Sequence, residues 1–160
     1  MRKFLFIPLI LLLFSGCDRK CCMNISALAL IKYVNQQGED LLDPAHPNAL
    51  IAEDIEVYVE KDGKRIRQYD GRLDAPKNFK IYKSDNDGYL FHFNFPINYN
   101  LADKNKMTVF ITYKNNSEDK LVGEFNSLKG NNIVLQRVWI NDADMGSPAG
   151  ILSKAFKIVK

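Results

Sequence analysis

One two-residue turn constrains the fold of this chain more than any other feature. The stretch "DIEVYVEKDGKRIRQYD" (54–70) is two alternating apolar–polar runs that meet at Asp62-Gly63. Asp-Gly supplies the positive φ angles of a two-residue hairpin turn, the kind whose twist matches the right-handed twist of its flanking strands. Such a turn also sets the register. Lys61 faces Lys64, Glu60 faces Arg65, Val59 faces Ile66 and Tyr58 faces Arg67. The apolar pair falls on one face, while the Glu60–Arg65 ion pair and the Tyr58–Arg67 pair fall on the other, each pair contributing about 0.2–1 kcal/mol. A hairpin patterned this way needs a core under one face and water over the other.

The same period of two recurs along the chain. "YLFHFNFP" (89–96) sends Tyr89, Phe91, Phe93 and Phe95 to one face and Leu90, His92 and Asn94 to the other. "ISALALIKYVN" (25–35) is apolar on both alternating faces and reads as a central strand buried on two sides. "QQGEDLLDPAHPNAL" (36–50), with Gly38, Pro44 and Pro47, reads as a long connection, and "GRLDAPKN" (71–78) as a loop. "FKIYK" (79–83), "KMTVFITYK" (106–114), "LVGEFN" (121–126) and "IVLQRVWIN" (133–141) read as further strands, and "KAFKIVK" (154–160) closes the sheet. About eight strands, spaced by the turns "SDNDG", "NNSED" and "SLKGNN", predict an all-β domain: a single antiparallel β-sandwich over residues 25–160. Its expected core includes Ile55, Val57, Val59, Phe91, Phe93, Phe95, Val109 and Ile111.

Ahead of this domain the chain opens "MRKFLFIPLILLLFSGC". Arg2 and Lys3 precede an apolar run of 11 residues, Phe4 to Phe14. That run is too short for a spanning helix, which needs about 20 residues, and has the length of a secretory h-region. Ser15, Gly16 and Cys17 follow, a step that resembles the lipobox of bacterial lipoproteins apart from Phe14, where Leu is usual. The resemblance implies a lipoprotein signal peptide at 1–16, cleavage before Cys17, a fatty-acylated Cys17 and a lipidated tether over 17–24.

The other two cysteines, Cys21 and Cys22, sit within that tether. A metal site needs about four convergent ligands, and the two histidines, His46 and His92, form no spaced pair. No Cys-x-x-Cys redox motif is present. In an oxidising compartment Cys21 and Cys22 have three options: a vicinal bridge, a crosslink to another chain, or free thiols. Without residues 1–16, 144 residues remain, with 20 basic and 19 acidic side chains. That is enough for one domain, near neutral, and it lacks the basic footprint of a nucleic-acid binder. No cysteine follows Cys22, so burial alone holds the domain, expected to be a monomer apart from any Cys21 or Cys22 crosslink.

With these segments in place the chain resembles a set of small lipoproteins of Bacteroidetes-type bacteria. The lipobox cysteine, "IKYVNQQGEDLLDP", "IEVYVEKDGK", "DAPKNFKIYK" and "RVWIN" carry the likeness in this order. More distantly, the opening strand and "QGEDLLDP" resemble the first strand and turn of transthyretin-like and carboxypeptidase-regulatory sandwiches, so the expected sandwich is immunoglobulin-like or transthyretin-like. These motifs are structural and imply fold and location, not an activity.

Residues with chemical potential are few. His92 lies opposite the Phe face, without a nucleophile or orienting partner in reach of the pattern, and reads as a half-exposed strand residue. His46 reads as a loop residue with no visible partner. "SDNDG" and "NDADMG" (141–146) resemble the start of calcium loops, with Asp142 and Asp144 the better pair, but neither supplies the downstream bidentate Glu, and Asp or Asn before Gly is ordinary turn chemistry. The chain lacks a Gly-x-Ser-x-Gly elbow, a Ser-x-x-Lys motif and a phosphate-cradling glycine loop. Trp139, the sole tryptophan, is a candidate for stacking on a sugar ring, although a lone strand tryptophan is more often core. No cofactor is expected. The reading is a lipid-anchored cell-envelope module, non-catalytic, that binds or supports an envelope protein or glycan. The alternative is a small hydrolase using carboxylates in a loop-built cleft. Asp18 after the anchor favours inner-membrane retention in some envelopes, and Arg19 and Lys20 replace the acidic run of a surface-export signal. The expected location is the outer membrane, facing the periplasm.

Overall fold

The computed structural model describes residues 24–97, 105–126, 132–148 and 155–160. The expected signal segment 1–16 and the expected tether with Cys17, Cys21 and Cys22 lie outside the described residues. The regular structure of the described residues is almost wholly strand: β1 (Asn24–Ser26), β2 (Leu28–Val34), β3 (Glu56–Lys61), β4 (Lys64–Arg67), β5 (Phe79–Ser84), β6 (Gly88–Asn94), β7 (Lys106–Thr112), β8 (Glu118–Phe125), β9 (Asn132–Ile140), β10 (Ala143–Gly146) and β11 (Phe156–Val159). A short 3-10 turn, Ala52–Asp54, leads into β3.

These strands form the expected all-β sandwich. One sheet runs β1-β9-β8-β7-β3-β4, with β10 also paired to β9, and the other runs β11-β2-β6-β5. Two features differ from the expectation. The described residues form eleven strands, not about eight, and both sheets are mixed: β1 pairs parallel to β9, and β11 parallel to β2. The reason is that short turn signals specify antiparallel hairpins between sequence neighbours, whereas the first and last strands pair with distant segments that no local turn encodes.

The stretch 25–35 is not one strand. Its first residues pair with β9 of the larger sheet, and from Leu28 onward it pairs with β6 of the smaller one. The chain changes sheets at Ala27, a buried small residue whose C=O accepts from the N–H of Phe95. β2 is central in its sheet, as expected, but only its Ala29, Ile31 and Tyr33 face is fully buried, while Leu28, Leu30 and Lys32 are half-buried.

The Asp62-Gly63 hairpin has the expected register, Lys61↔Lys64, Glu60↔Arg65, Val59↔Ile66 and Tyr58↔Arg67. Both turn residues have positive φ, 52° and 70°. Arg65, however, passes over Glu60. It lies on the Phe110 ring at 3.8 Å and makes two hydrogen bonds to Glu118, at 2.6 and 3.0 Å.

All eight expected core residues are buried, between 0% and 2% exposed. The aromatics form a connected series: Phe79 stacks on Phe91, Phe91 on Phe93, Phe93 meets Phe95 edge-on, and Phe95 meets Phe125. This series crosses from the small sheet to β8 at Gly123. A Cβ there would lie 2.8 Å from the Phe95 ring and 3.0 Å from Leu135, so the strand carries glycine where the ring lies against its backbone. Replacing Phe93 with Ala is expected to cost about 3–5 kcal/mol, because the site is ringed by aromatics that cannot collapse into the void. Urea unfolding monitored by far-UV circular dichroism measures this as a drop in midpoint at unchanged slope.

Candidate functional site

Three places bring chemically distinctive side chains together: a buried carboxylate cluster, the outer face of the larger sheet, and a cleft between the sheet edges.

The buried cluster centres on Asp119 of β8, 2% exposed. Its Oδ2 lies 2.6 Å from Lys160 Nζ and 2.7 Å from the Tyr113 hydroxyl, and its Oδ1 accepts from Asn141 Nδ2 at 2.9 Å. The Tyr33 hydroxyl of β2 stands 2.8 Å from that of Tyr113. Each phenol has one proton and the carboxylate only accepts, so Tyr113 donates to Asp119 and Tyr33 donates to Tyr113. Burial pushes both phenols far above their usual range, reinforced at Tyr33 by the Asp119 charge and at Tyr113 by Tyr33 and then Asp119. Phenols held neutral in this way do not serve as bases near neutral pH, and the cluster links the two sheets through Tyr33 and Tyr113. Among the described residues no buried side-chain polar atom is left without a hydrogen-bond partner.

The outer face of the larger sheet carries Trp139. It is half-exposed, not core, and is flanked by cations: Lys106 Nζ stands 4.5 Å and the Arg137 guanidinium 5.3 Å from its ring centre. Arg137 is in turn ion-paired to Asp144, and Lys106 lies 3.8 Å from Glu124. A sugar stacking on Trp139 would have to displace these side chains. The two calcium candidates sit beside it and are not brought to one point. Asn141 and Asp142, with φ of 51° and 66°, form the turn of a β9–β10 hairpin. Asp142 pairs with Lys120 at 2.9 Å, and Asp144 is held by Arg137 and by the Gly146 N–H. The hydrogen bonds from Arg137 and then from the Gly146 N–H, with the Arg137 charge, keep the Asp144 carboxyl below the usual carboxylate range. Among the described residues no three His, Cys, Asp or Glu side chains converge as metal ligands. The Asn-Asp dipeptide was a two-residue turn signal of the same kind as Asp62-Gly63, and it marks β10, which the sequence pattern alone left unread.

The histidines divide. His92 of β6 stands opposite Lys80 and Leu30, with Tyr82 edge-on at 5.8 Å. Partial burial, then the Lys80 charge, lowers its pKa, so it is a neutral strand residue. His46 does have partners. Its Nδ1 accepts from the Asn48 N–H at 3.1 Å, which leaves the proton on Nε2, 3.4 Å from Glu39. The 36–50 connection around it is a built loop, not a slack one. Asn35 Oδ1 accepts from the N–H groups of Gln37 and Glu39, and Asp40 accepts from Leu42 and from Tyr89 of the other hairpin.

The cleft lies where the two sheets end side by side. It has a volume of about 400 Å³ and is lined by Ala52 of the 3-10 turn, by Tyr69 and Pro76 of the loop after β4, and by Phe79 and Ile81 of β5. Lys77 pins its wall. That ammonium, largely buried, donates to the carbonyls of Ala52, Glu53 and Ile55 at 3.2, 3.1 and 2.7 Å and pairs with Glu56 at 3.1 Å. Tyr69, 61% exposed, is the exposed large hydrophobic of its lining, and exposed Leu73 lies on the same loop. None of these was singled out from sequence, because a loop tyrosine and leucine carry no pattern.

The cluster predicts a titration. Below about pH 10 both phenols are protonated folded and unfolded; above it the unfolded chain releases their protons first, so stability falls as pH rises past about 10. Ultraviolet titration is expected to show Tyr33 and Tyr113 ionising only together with loss of the folded signal.

Compared with known proteins, the chain matches no family model, no curated protein and no solved structure.

Proposed function

We propose that this chain is a lipid-anchored module of the bacterial cell envelope, acylated at Cys17, that binds or supports an envelope protein or glycan and catalyses no reaction. The N-terminal sequence supports the anchor: a charged start, a short apolar run and the Ser15-Gly16-Cys17 step. The likeness to small Bacteroidetes-type lipoproteins rests on the lipobox cysteine together with "IKYVNQQGEDLLDP", "IEVYVEKDGK", "DAPKNFKIYK" and "RVWIN", and the proposed outer-membrane, periplasm-facing location on the residues that follow the anchor, Asp18, Arg19 and Lys20.

The observation that carries the binding reading is an apolar cleft that exposes Tyr69 beside Ala52, Pro76, Phe79 and Ile81, with exposed Leu73 on the same loop as Tyr69. Exposed apolar residues that collect on one side of a domain, rimmed by charge, mark interaction sites. The acids at this cleft suit hydrolysis poorly. Asp74 is 98% exposed and faces Lys80 at 3.9 Å, whereas a general acid needs a desolvated carboxyl.

Two measurements test the proposal. Cells fed a clickable fatty acid are expected to label the protein, and the label should vanish in Cys17→Ser; persistence of label in that variant would overturn the anchor. Crosslinking of the tagged, detergent-solubilised lipoprotein is expected to recover a defined envelope partner, with recovery reduced at least fivefold by Tyr69→Ala. Cleavage of a glycan or peptide library by purified protein, with no partner recovered, would favour the hydrolase instead.

A further inference from the structure

The free edge of the smaller sheet and the cleft coincide, and the coincidence follows from strand geometry. In an antiparallel ladder, alternate residues aim their N–H and C=O at the partner strand and the others aim theirs away. The Asn94 N–H donates to the Asn78 carbonyl at 2.8 Å, one step before the Phe79↔Phe93 pair. By that alternation Lys80, Tyr82 and Ser84 aim their backbones at β6, while Phe79, Ile81 and Lys83 aim theirs outward. No described strand lies beyond β5.

Phe79 and Ile81 are also the β5 residues whose side chains face the core. A strand laid beside β5 would place the residues opposite them on the same inward face, where the cleft opens between β5 and the Ala52 and Tyr69 walls. The backbone donors and the side-chain pocket thus serve one and the same added strand. The layers are unequal as well, since the larger sheet runs six strands across and the smaller one four.

We propose that β5 receives one more strand from a partner protein: an extended, net-negative segment with apolar residues at alternate positions, hydrogen-bonded along Phe79–Lys83 and filling the cleft with its inward side chains. The proposal rests on the tethered-module reading above and specifies its partner as protein rather than glycan. The charge of the edge selects that segment. β5 carries Lys80 and Lys83 and no acid. Lys80 pairs with the solvated Asp74 at 3.9 Å, and Lys83 stands 5.8 Å from the Tyr89 ring with no ion pair among the described residues. The same lysines disfavour a second copy of this chain, because β5 against β5 sets lysine near lysine across the new ladder. Strand addition of this kind takes affinity from main-chain hydrogen bonds and specificity from alternate side-chain pockets.

A proline scan of the edge tests the proposal. Ile81→Pro removes an outward N–H and no hydrogen bond to β6, a position where an edge strand tolerates proline; Lys83→Pro does the same at an exposed site, should Ile81→Pro fail to fold by circular dichroism. A phage-displayed library of random dodecapeptides is panned on the full lipidated protein in nanodiscs. Enriched peptides are expected to be apolar at every second position and net negative, and to bind the proline variants at least tenfold more weakly. Methylating alternate backbone nitrogens of such a peptide should weaken it equally. Peptides that bind parent and proline variants alike, or no enrichment at all, overturn the proposal. So does a concentration-dependent dimer of the parent that the prolines disperse. A partner crosslinked equally to the parent and the proline variants overturns strand addition while leaving the tethered module standing.

Discussion

A single carboxylate with almost no access to water couples the parts of this sandwich. Removing a carboxylate from water costs several kcal/mol, recovered only where opposite charge and donors converge. Asp119 obtains them from Tyr113, Asn141 and Lys160, and through Tyr113 it reaches Tyr33 on the opposite sheet. These partners sit after β7, in the β9–β10 turn, after β11 and on β2, so the two sheets and the closing strand meet at one charge. The consequence is greatest for β11. A parallel strand of four residues with alternating burial says little about its own register. The Lys160 ammonium on Asp119 and the Lys160 N–H on the Val34 carbonyl hold it in place at one end.

The core is aromatic and the surface largely self-neutralised. Phe79, Phe91, Phe93, Phe95 and Phe125 run through the interior in contact, and the approach of Phe95 to the Gly123 backbone lets the sheets close over them. Outside, cations cover rings and acids hold the cations: Arg65 lies on Phe110 under Glu118, and Lys106 and Arg137 flank Trp139 beside Glu124 and Asp144. Exposed pairs of this kind add little stability each, but they leave the larger sheet without a bare aromatic platform. What stays open is the side where β4 and β5 end next to each other, with Tyr69 and Leu73 exposed on the loop between them.

Much of the fold was legible because it is local. Alternation in "YLFHFNF" separates core from surface whatever surrounds it, and Asp62-Gly63 sets a register by turn geometry alone, so the hairpin pairs and all eight core residues follow from the sequence. Sheet identity was not legible. Residues 25–35 read as one strand because their apolar pattern is continuous, and only the tertiary structure reveals that Ala27 carries the chain from β9 to β6. The two parallel pairs were equally hidden, since no turn joins their strands. Arg65 illustrates the same limit for side chains: its cross-strand partner by register is Glu60, but a long guanidinium on a twisted sheet reaches the better bidentate acceptor, Glu118.

By itself, then, the sequence determined that the domain is built of strands, which face of most of them is apolar, and where the Asp62-Gly63 hairpin turns. All of these depend on a few neighbouring residues and on the two-residue period of the backbone. It also carries the lipobox-like step before the domain. The tertiary structure alone decided which strands share a sheet, which edge stays open, and which charges are spare, because those outcomes depend on distances between segments far apart in the chain. The cleft is the clearest case. Ala52, Tyr69 and Ile81 have no common motif, and they form one surface only because two sheets of unequal width end side by side.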